Sequence, residues 1–484
     1  MSDVNVTVTE DVVQIAVPET TAGHKAAAGA AAHAGLAIVS AAAPAAPAAD
    51  QLWYDKTAKV LKRWTGAAWE TSGSDTYLAG EENSSRGSGA LLLRVLDIGW
   101  ESAVLSLNGD STTDGTGEAL YLLGQALGDR YDPLTVGHAL WDDGTQAYGT
   151  PTMVQQGDGA GPTIFHDAFA RADGAAGTAD SGQTWSSGTI TSGALTATGI
   201  VDVFQPDVDV QATINPATAG GNRITVRRKD SSNHVFVDFS ATSMTIFKRV
   251  AGSATNLGST TISIANGTPE TVTVKARGPY IEATCDGQTL SVTLSIADVI
   301  AMSASGLMST SLEFICATNG TFDDIVVKSA PTLTIFNGSH GGANAAYHYD
   351  GVRFPKIVPL RPTLAIVSLS HNEGGASNGT SWSGLATLCA LVQSTYSGTP
   401  MLLTIQNPKA DPADEWRQLG HYRRANQIAN YARQNNYGVA DVMRAMIDND
   451  PTLAAYVSGD GTHPTTAGAE LWRDEYLRAL GMPA

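Results

Sequence analysis

The chain has 484 residues, enough for about three domains of ordinary size, and 43% of them are hydrophobic, which leaves ample material for buried cores. A formal net charge of −18, from 29 Lys and Arg against 47 Asp and Glu, excludes a protein that grips nucleic acid through basic clusters. The three cysteines, Cys285, Cys316 and Cys389, are too few and too scattered for a zinc site or a disulfide framework, and they point to assembly in a reducing compartment.

The opening "MSDVNVTVTEDVV" starts on acids and lacks a basic n-region, so no secretory signal is expected. "NVTVTEDVVQIAV" alternates as one β-strand, too short to fold alone. The Ala-rich run after it is broken by His33 and by prolines, and reads as a helical or extended connector without membrane insertion. "QLWYDKTAKVLKRWTGAAWE" predicts two short strands around a turn, with Trp53, Tyr54, Trp64 and Trp69 as its core. So small a core needs a neighbour or other copies of the chain, and a homotrimer built through the N-terminal region is expected. "TSGSDTYLAGEENSSRGSG" reads as a flexible linker.

From Leu92 the character changes. "AVLSLNGDS" is a buried-type strand ending in a tight turn, and "TGEALYLLGQALGDR" is an amphipathic helix. From about Thr163 to Ser329, short alternating stretches such as "NRITVRR", "HVFVDFS" and "ETVTVKAR" are separated by Gly, Asn, Ser and Asp turns, the spacing of an all-β sandwich. Continuous apolar strands follow ("TLTIFNG", "TLAIVSLSHNE", "PMLLTIQNP"), alternating with helices, which is α/β patterning with a parallel sheet. The predicted domains are therefore 1–50 (strand and Ala-rich connector), 51–91 (aromatic β module and linker), 92–162 and 331–484 (one α/β domain in two parts), and 163–330 (an inserted sandwich). The first and last insert segments, "TIFHDAFARADG" and "GTFDDIVVKS", should be neighbouring strands, as insertion requires. Leaving and re-entering between the first helix and the Gly342 loop, the insert is expected near the strand edge that carries Ser111. The chemistry is not expected to need it.

Ser111 falls where a strand turns into a helix start, at the sheet edge where α/β proteins bind ligands. Free N–H groups there could receive an oxyanion, although a serine in that place, taken alone, reads first as a helix cap. "FNGSHGGANAAYH" ends the next strand in a Gly turn suited to a backbone donor, and "VSLSHNEGG" ends the one after with Asn372, a side-chain donor. "YVSGDGTHPTTAGAELW" then supplies Asp460 and His463 as orienter and base. Nucleophile, two donors, base and orienter share one sheet edge, the set that acyl transfer requires.

The order Gly-Asp-Ser, Gly, Asn, then Asp-x-x-His resembles the SGNH (GDSL-type) hydrolases, esterases on a flavodoxin-like three-layer fold. By that resemblance Ser111 is the nucleophile, Gly342 (with Gly341 as the other candidate) and Asn372 complete the oxyanion hole, and Asp460 and His463 complete the triad, with no cofactor or metal. The chain departs from the family at the third motif, reading Ser370-His371-Asn372-Glu373 where Gly-x-Asn-Asp is usual. "GASNG" fits the Gly-x-Ser-x-Gly nucleophile elbow, but Ser377 sits in a polar loop well past its strand, so that reading is set aside. His340 and His348 lack a third ligand and read as substrate-side or structural residues, and Asp323 and Asp324 as strand-end residues rather than calcium ligands.

The insert's terminal strands resemble those of concanavalin A-like jelly-roll domains, many of which bind glycans. The aromatic module and the opening strand resemble parts of bacteriophage minor tail proteins. Together these resemblances imply a tail-associated serine esterase in the virion, acting on acyl esters, acetyl first, of a host cell-surface glycan, with other tail proteins as partners. The alternatives are a non-catalytic receptor-binding tail protein and a free bacterial carbohydrate esterase.

Overall fold

The computed structural model describes residues 6–9, 12–15, 37–40, 43, 52–55, 60–64, 67–71, 84–98, 101–131, 134–157, 161–215, 221–265, 267–373, 379–409 and 415–482. They fall into two compact units, Met1–Asn83 and Ser84–Ala484.

In the first unit the opening segment is a hairpin instead of one strand: Val6–Thr9 pairs antiparallel with Val12–Ile15, and the alternation breaks in sequence at Glu10-Asp11. The aromatic segment has three strands where two were expected, Leu52–Asp55, Val60–Trp64 and Trp69–Thr71, in an antiparallel meander. Ala37–Ser40, from the Ala-rich run, adds a parallel fourth. The side chains of Trp53, Tyr54 and Trp64 lie outside the described residues.

The linker ends sooner than the sequence suggested. Helix α1 (Ser84–Ile98) begins inside it, and the unit boundary is at Asn83/Ser84, not at residue 91. Its apolar run buries Leu92, Val95 and Leu96 among Leu477 and Leu480, and Gly89 lies so close to Leu480 that a side chain there would collide with it.

The second unit is built on six parallel strands: β1 (Ala103–Gly109), β2 (Thr135–Asp142), β3 (Thr332–Asn337), β4 (Leu364–Ser368), β5 (Met401–Ile405) and β6 (Gly438–Asp441). Their spatial order is β2-β3-β1-β4-β5-β6, with Ala147–Tyr148 and Thr152–Gln155 antiparallel beside β2. Nearly every strand residue is buried, because both faces are covered. One face, with Leu105, Leu107, Ile335 and Ile366, packs on α1, on α2 (Ala119–Arg130) and on α5 (Thr466–Ala479), through Leu120, Leu123, Trp472 and Tyr476. The other face, with Ala365, Val367, Leu403 and Ile405, packs on α3 (Gly379–Thr395) and α4 (Glu415–Asn435), through Leu388, Val392 and Ile428.

Parallel neighbours need a long crossover, ordinarily a helix. Between β2 and β3 the described residues instead form two large antiparallel sheets, one of nine strands and one of six, with a two-stranded ribbon of Ser303–Ala304 and Leu307–Met308. Their alternating inward residues, Val208, Val210, Ala212 and Ile214 from the first and Ile224, Val235, Val237 and Phe314 from the second, share one apolar cluster. Its first strand, Thr163–Asp167, pairs antiparallel with its last, Thr321–Ser329. Val104, Ala139, Phe336 and Leu360 of the α/β part belong to the same cluster, so the insert covers a stretch of the parallel sheet.

The polar anchorage of the insert corrects the expected placement. Buried Asp207 accepts hydrogen bonds from Ser102 and Thr332, which stand at the starts of β1 and β3, and it pairs with buried Arg227. Tyr280 of the insert packs over Gly137, and Arg277 donates to the Gly157 carbonyl at 2.9 Å. These anchors lie toward the strand starts, away from the edge that carries Ser111. The cause is Thr152–Gln155, which runs back along β2 (Met153 opposite Gly137, Gln155 opposite Val136) before the insert begins. Cys285, Cys316 and Cys389 are free thiols.

Candidate active site

The loops that carry Ser111, Gly342 and Asn372 leave the C-terminal ends of β1, β3 and β4, on both sides of β1, where the strand order reverses, and the Asp460-His463 loop, which follows the helix Val442–Asn449, meets them there. β1 ends at Gly109, and any side chain there would strike Ser339 and Thr113, so the first and second loops can approach only because this residue is glycine. Thr113 closes the turn by donating its N–H to the Asp110 carbonyl at 3.1 Å, with Ser111 at the tip. Asp110 is buried, and its Oδ1 accepts from both Thr112 N (3.1 Å) and Thr112 Oγ1 (2.7 Å), while desolvation pushes its carboxyl upward.

The expected helix start at Ser111 is corrected. Helix α2 begins at Ala119 with Glu118 at its N-cap, so neither a capping role nor a helix dipole at Ser111 applies. The cause is the intervening "TTDGTGE", whose Asp, Gly and Thr residues favour turns over helix.

Ser111 Oγ lies 2.9 Å from His463 Nε2, and His463 Nδ1 lies 2.5 Å from Asp460 Oδ2. With Nδ1 donating to the carboxylate, Nε2 is left to accept the serine proton. Asp460 Oδ1 is held by Ser458 Oγ (2.7 Å), Thr462 N (2.8 Å) and His463 N (3.0 Å). The His463 ring first, and these donors after it, keep the Asp460 carboxyl far below the usual carboxylate range. Gly461 takes a φ of 72° within this tight loop, a conformation that favours glycine.

Among the described residues, the backbone N–H groups of Ser111, Gly341 and Gly342 have no hydrogen-bond partner. Gly342 adopts a φ of 78°, and a side chain on it would point into open space. Gly341 is the residue set against the nucleophile: a Cβ there would stand 3.9 Å from Ser111 Cβ and 3.5 Å from Asp114 Oδ2. Asn372 Nδ2 donates to the Ala343 carbonyl at 3.2 Å, which ties it to the same glycine turn and leaves a second amide proton. The departure at the third motif has a local explanation. Glu373 reaches back and accepts the Ala345 N–H at 2.6 Å, at the start of the short helix Ala345–His348.

His348 is buried beneath the site with Nε2 2.9 Å from the Gly109 carbonyl, and burial lowers its pKa to about 4, so it is a neutral structural residue. His340 is half-exposed on the rim, stacked on Tyr347 and 3.8 Å from Asp143. Asp324 N–H donates to Asp323 Oδ1 at 2.8 Å. Among the described residues no group of three or more His, Cys, Asp or Glu is placed to hold a metal ion. Ser377 lies outside the described residues. Asp110, Asp114 and Glu118 around the nucleophile, and Gln406 and Asn407 beneath it, were not singled out from the sequence. The available signal was the pair of amides that ends strand "MLLTI" at the catalytic edge.

Residues 318–471 match the GDSL-like Lipase/Acylhydrolase family. That stretch contains the Gly341-Gly342 turn, Asn372, Asp460 and His463, whereas Ser111 lies ahead of the insert. No curated protein matches the chain. Among solved structures, the acetylxylan esterase Axe2 from Geobacillus stearothermophilus is 13% identical, with 31% of this chain and 74% of that one covered at a TM-score of 0.28. A GDSL-like lipase from Parabacteroides merdae is 14% identical (31% and 73% covered, TM-score 0.26). The carbohydrate binding module CBM66 from Bacillus subtilis is 12% identical (31% and 90% covered, TM-score 0.21). Scores this low carry no weight beside the site itself. With an SGNH-type hydrolase domain at its C-terminus, preceded by a strand-rich region, the protein is a serine carboxylic ester hydrolase.

Proposed function

We propose that Ser111, His463 and Asp460 are the catalytic triad, and that the substrate is an acyl ester, acetyl first, on a cell-surface glycan. The observation that carries this reading is the continuous relay from Asp460 Oδ2 through His463 to Ser111 Oγ, at 2.5 and 2.9 Å. Ser111 Oγ attacks the ester carbonyl while its proton passes to His463 Nε2, and Asp460 stabilises the imidazolium. The oxyanion is received by the N–H groups of Ser111 and the Gly341-Gly342 turn and by the Asn372 amide. The C–O bond to the alcohol then breaks, and the alcohol leaves with the proton from His463. Water repeats the sequence on the acyl-enzyme, releasing the acid and restoring Ser111.

The two-sheet insert, read as a concanavalin A-like jelly roll on a flavodoxin-like three-layer domain, holds the glycan. A cleft of about 460 Å³ at its junction with the α/β part, lined by Met153, Gln156, Lys275, Tyr280, Glu282 and Thr293 among others, supports this with aromatic, apolar and polar side chains of the kinds that bind a sugar ring. The N-terminal unit joins three copies and fixes them to a bacteriophage tail, so that the esterase works on the host surface from the virion. The resemblance of the aromatic β module to parts of tail proteins supports that part.

The test is to incubate the protein with host cell walls and identify released acids by mass spectrometry. Acetate from wild type and none from Ser111→Ala is the expected result. Hydrolysis of small aryl esters with no acid released from any wall would contradict the glycan assignment.

A further inference from the structure

Gln406 and Asn407 follow β5 directly, at the edge where the Ser111, Asn372 and Asp460-His463 loops meet, and both are fully buried. The Gln406 side chain uses its whole hydrogen-bonding capacity. Its Nε2 donates to Thr112 Oγ1 (3.1 Å) and to the Ser368 carbonyl (3.0 Å). Its Oε1 accepts from Ser370 Oγ (2.7 Å) and from His371 N (3.0 Å).

These partners are not scattered. Thr112 follows the nucleophile and is itself bound to Asp110, so the residues on both sides of Ser111 are fixed through one hydroxyl. Ser370 and His371 directly precede Asn372. One amide therefore spans the gap between the serine turn and the asparagine turn, holding each by a different end. Asn407 extends the hold to the Asp460-His463 loop: its Nδ2 donates to the Thr462 carbonyl at 2.8 Å, and its own carbonyl accepts from His371 Nε2 at 2.8 Å.

Resting on the triad reading above, we propose that Gln406 is a positioning residue that sets the separation between Ser111 and the Asn372 amide, with Asn407 tying the Asp460-His463 loop to the same point. It touches no reacting atom. Its effect is on where the oxyanion donors stand, and donors displaced by a fraction of an ångström lose much of their preference for the transition state over the ground state. A buried amide with all its bonds made can enforce such a distance, because any shift leaves a buried polar group unpaired.

The experiment compares Gln406→Met, which keeps length and volume but not the bonds, with wild type on p-nitrophenyl acetate. Melting temperature, kcat, KM and the pH profile are recorded for each. The expected result is a folded variant with kcat lowered by about 30-fold or more, KM within about twofold and the pH midpoint unmoved, approaching the roughly 10²–10³ cost of losing one oxyanion donor. In an Asn372→Ala background the same substitution should cost less than about threefold, because residues acting through one another are not additive.

A folded Gln406→Met within about threefold of wild-type kcat would overturn the inference, as would a full multiplicative loss in the Asn372→Ala background. If Gln406→Met does not fold, Gln406→Glu, which keeps the acceptors for Ser370 and His371 but not the donor to Thr112, is held to the same two criteria. If neither folds, Gln406 serves folding alone and the inference fails. An active Ser111→Ala overturns the triad reading and this inference together. An inactive Ser111→Ala beside a fully active Gln406→Met overturns only the inference.

Discussion

Glu118 shows how one side chain near the nucleophile sets a pH dependence that the triad does not. It stands at the N-cap position of α2 but its side chain turns away from the helix, its Oε2 accepting the Gly115 N–H at 2.7 Å, and burial pushes its carboxyl up to about 7. The folded value lies above the unfolded value of 4.5, so the folded state holds the proton more tightly. The stability it contributes is fully present below the unfolded value and is lost as pH rises through about 7. Glu118→Gln keeps the acceptor for Gly115 and removes the titration. By calorimetry, its melting temperature relative to wild type should be more favourable at pH 8 than at pH 5. An equal difference at both pH values would show that this carboxylate is not desolvated.

The strands were the most legible elements. Continuous apolar runs such as "AVLSLNG" and "MLLTI" have one physical solution, a strand covered on both faces, and both lie in the parallel sheet. The loops were legible only where a side chain carries the chemistry. Ser111, Asp460 and His463 could be named because the relay needs those residue types, and the structure brings them within hydrogen-bonding distance. The start of α2 was misplaced because an amphipathic pattern marks the body of a helix better than its first turn. The linker was overextended for a related reason: "SSRGSG" is rich in residues that favour coil, yet it forms the first turns of α1 because the apolar run behind it packs on α5. Gln406 and Asn407 were missed because their value comes from what three distant loops place around them, which the pair of amides at the end of "MLLTI" does not by itself reveal.

The insert is less separable than its sequence suggested. It stands where a crossover helix would be, shares its core with Val104, Ala139 and Phe336, and is fastened through Asp207 to Ser102 and Thr332. Removing residues 162–330 would expose those apolar side chains, so loss of ester hydrolysis in such a deletion would report a damaged fold, not a catalytic contribution. A point change is cleaner. Asp207 and Arg227 are both buried, and Asp207→Ala leaves an uncompensated guanidinium, which should cost about 3–5 kcal/mol in denaturant unfolding. Since the anchor is at the strand starts, kcat of the molecules that remain folded should change by less than about twofold, about 0.4 kcal/mol. A large drop in kcat with unchanged stability would mean that the insert acts on the catalytic edge after all.

The measurement that bears on the whole reading is covalent labelling with a fluorophosphonate, followed by proteolysis and mass spectrometry. The Ser111 oxygen should form the bond to phosphorus and release fluoride, with His463 taking the proton. The account predicts one adduct per chain, on Ser111, and none in His463→Ala. An adduct on Ser377, or an active enzyme that takes no label at Ser111, would contradict it.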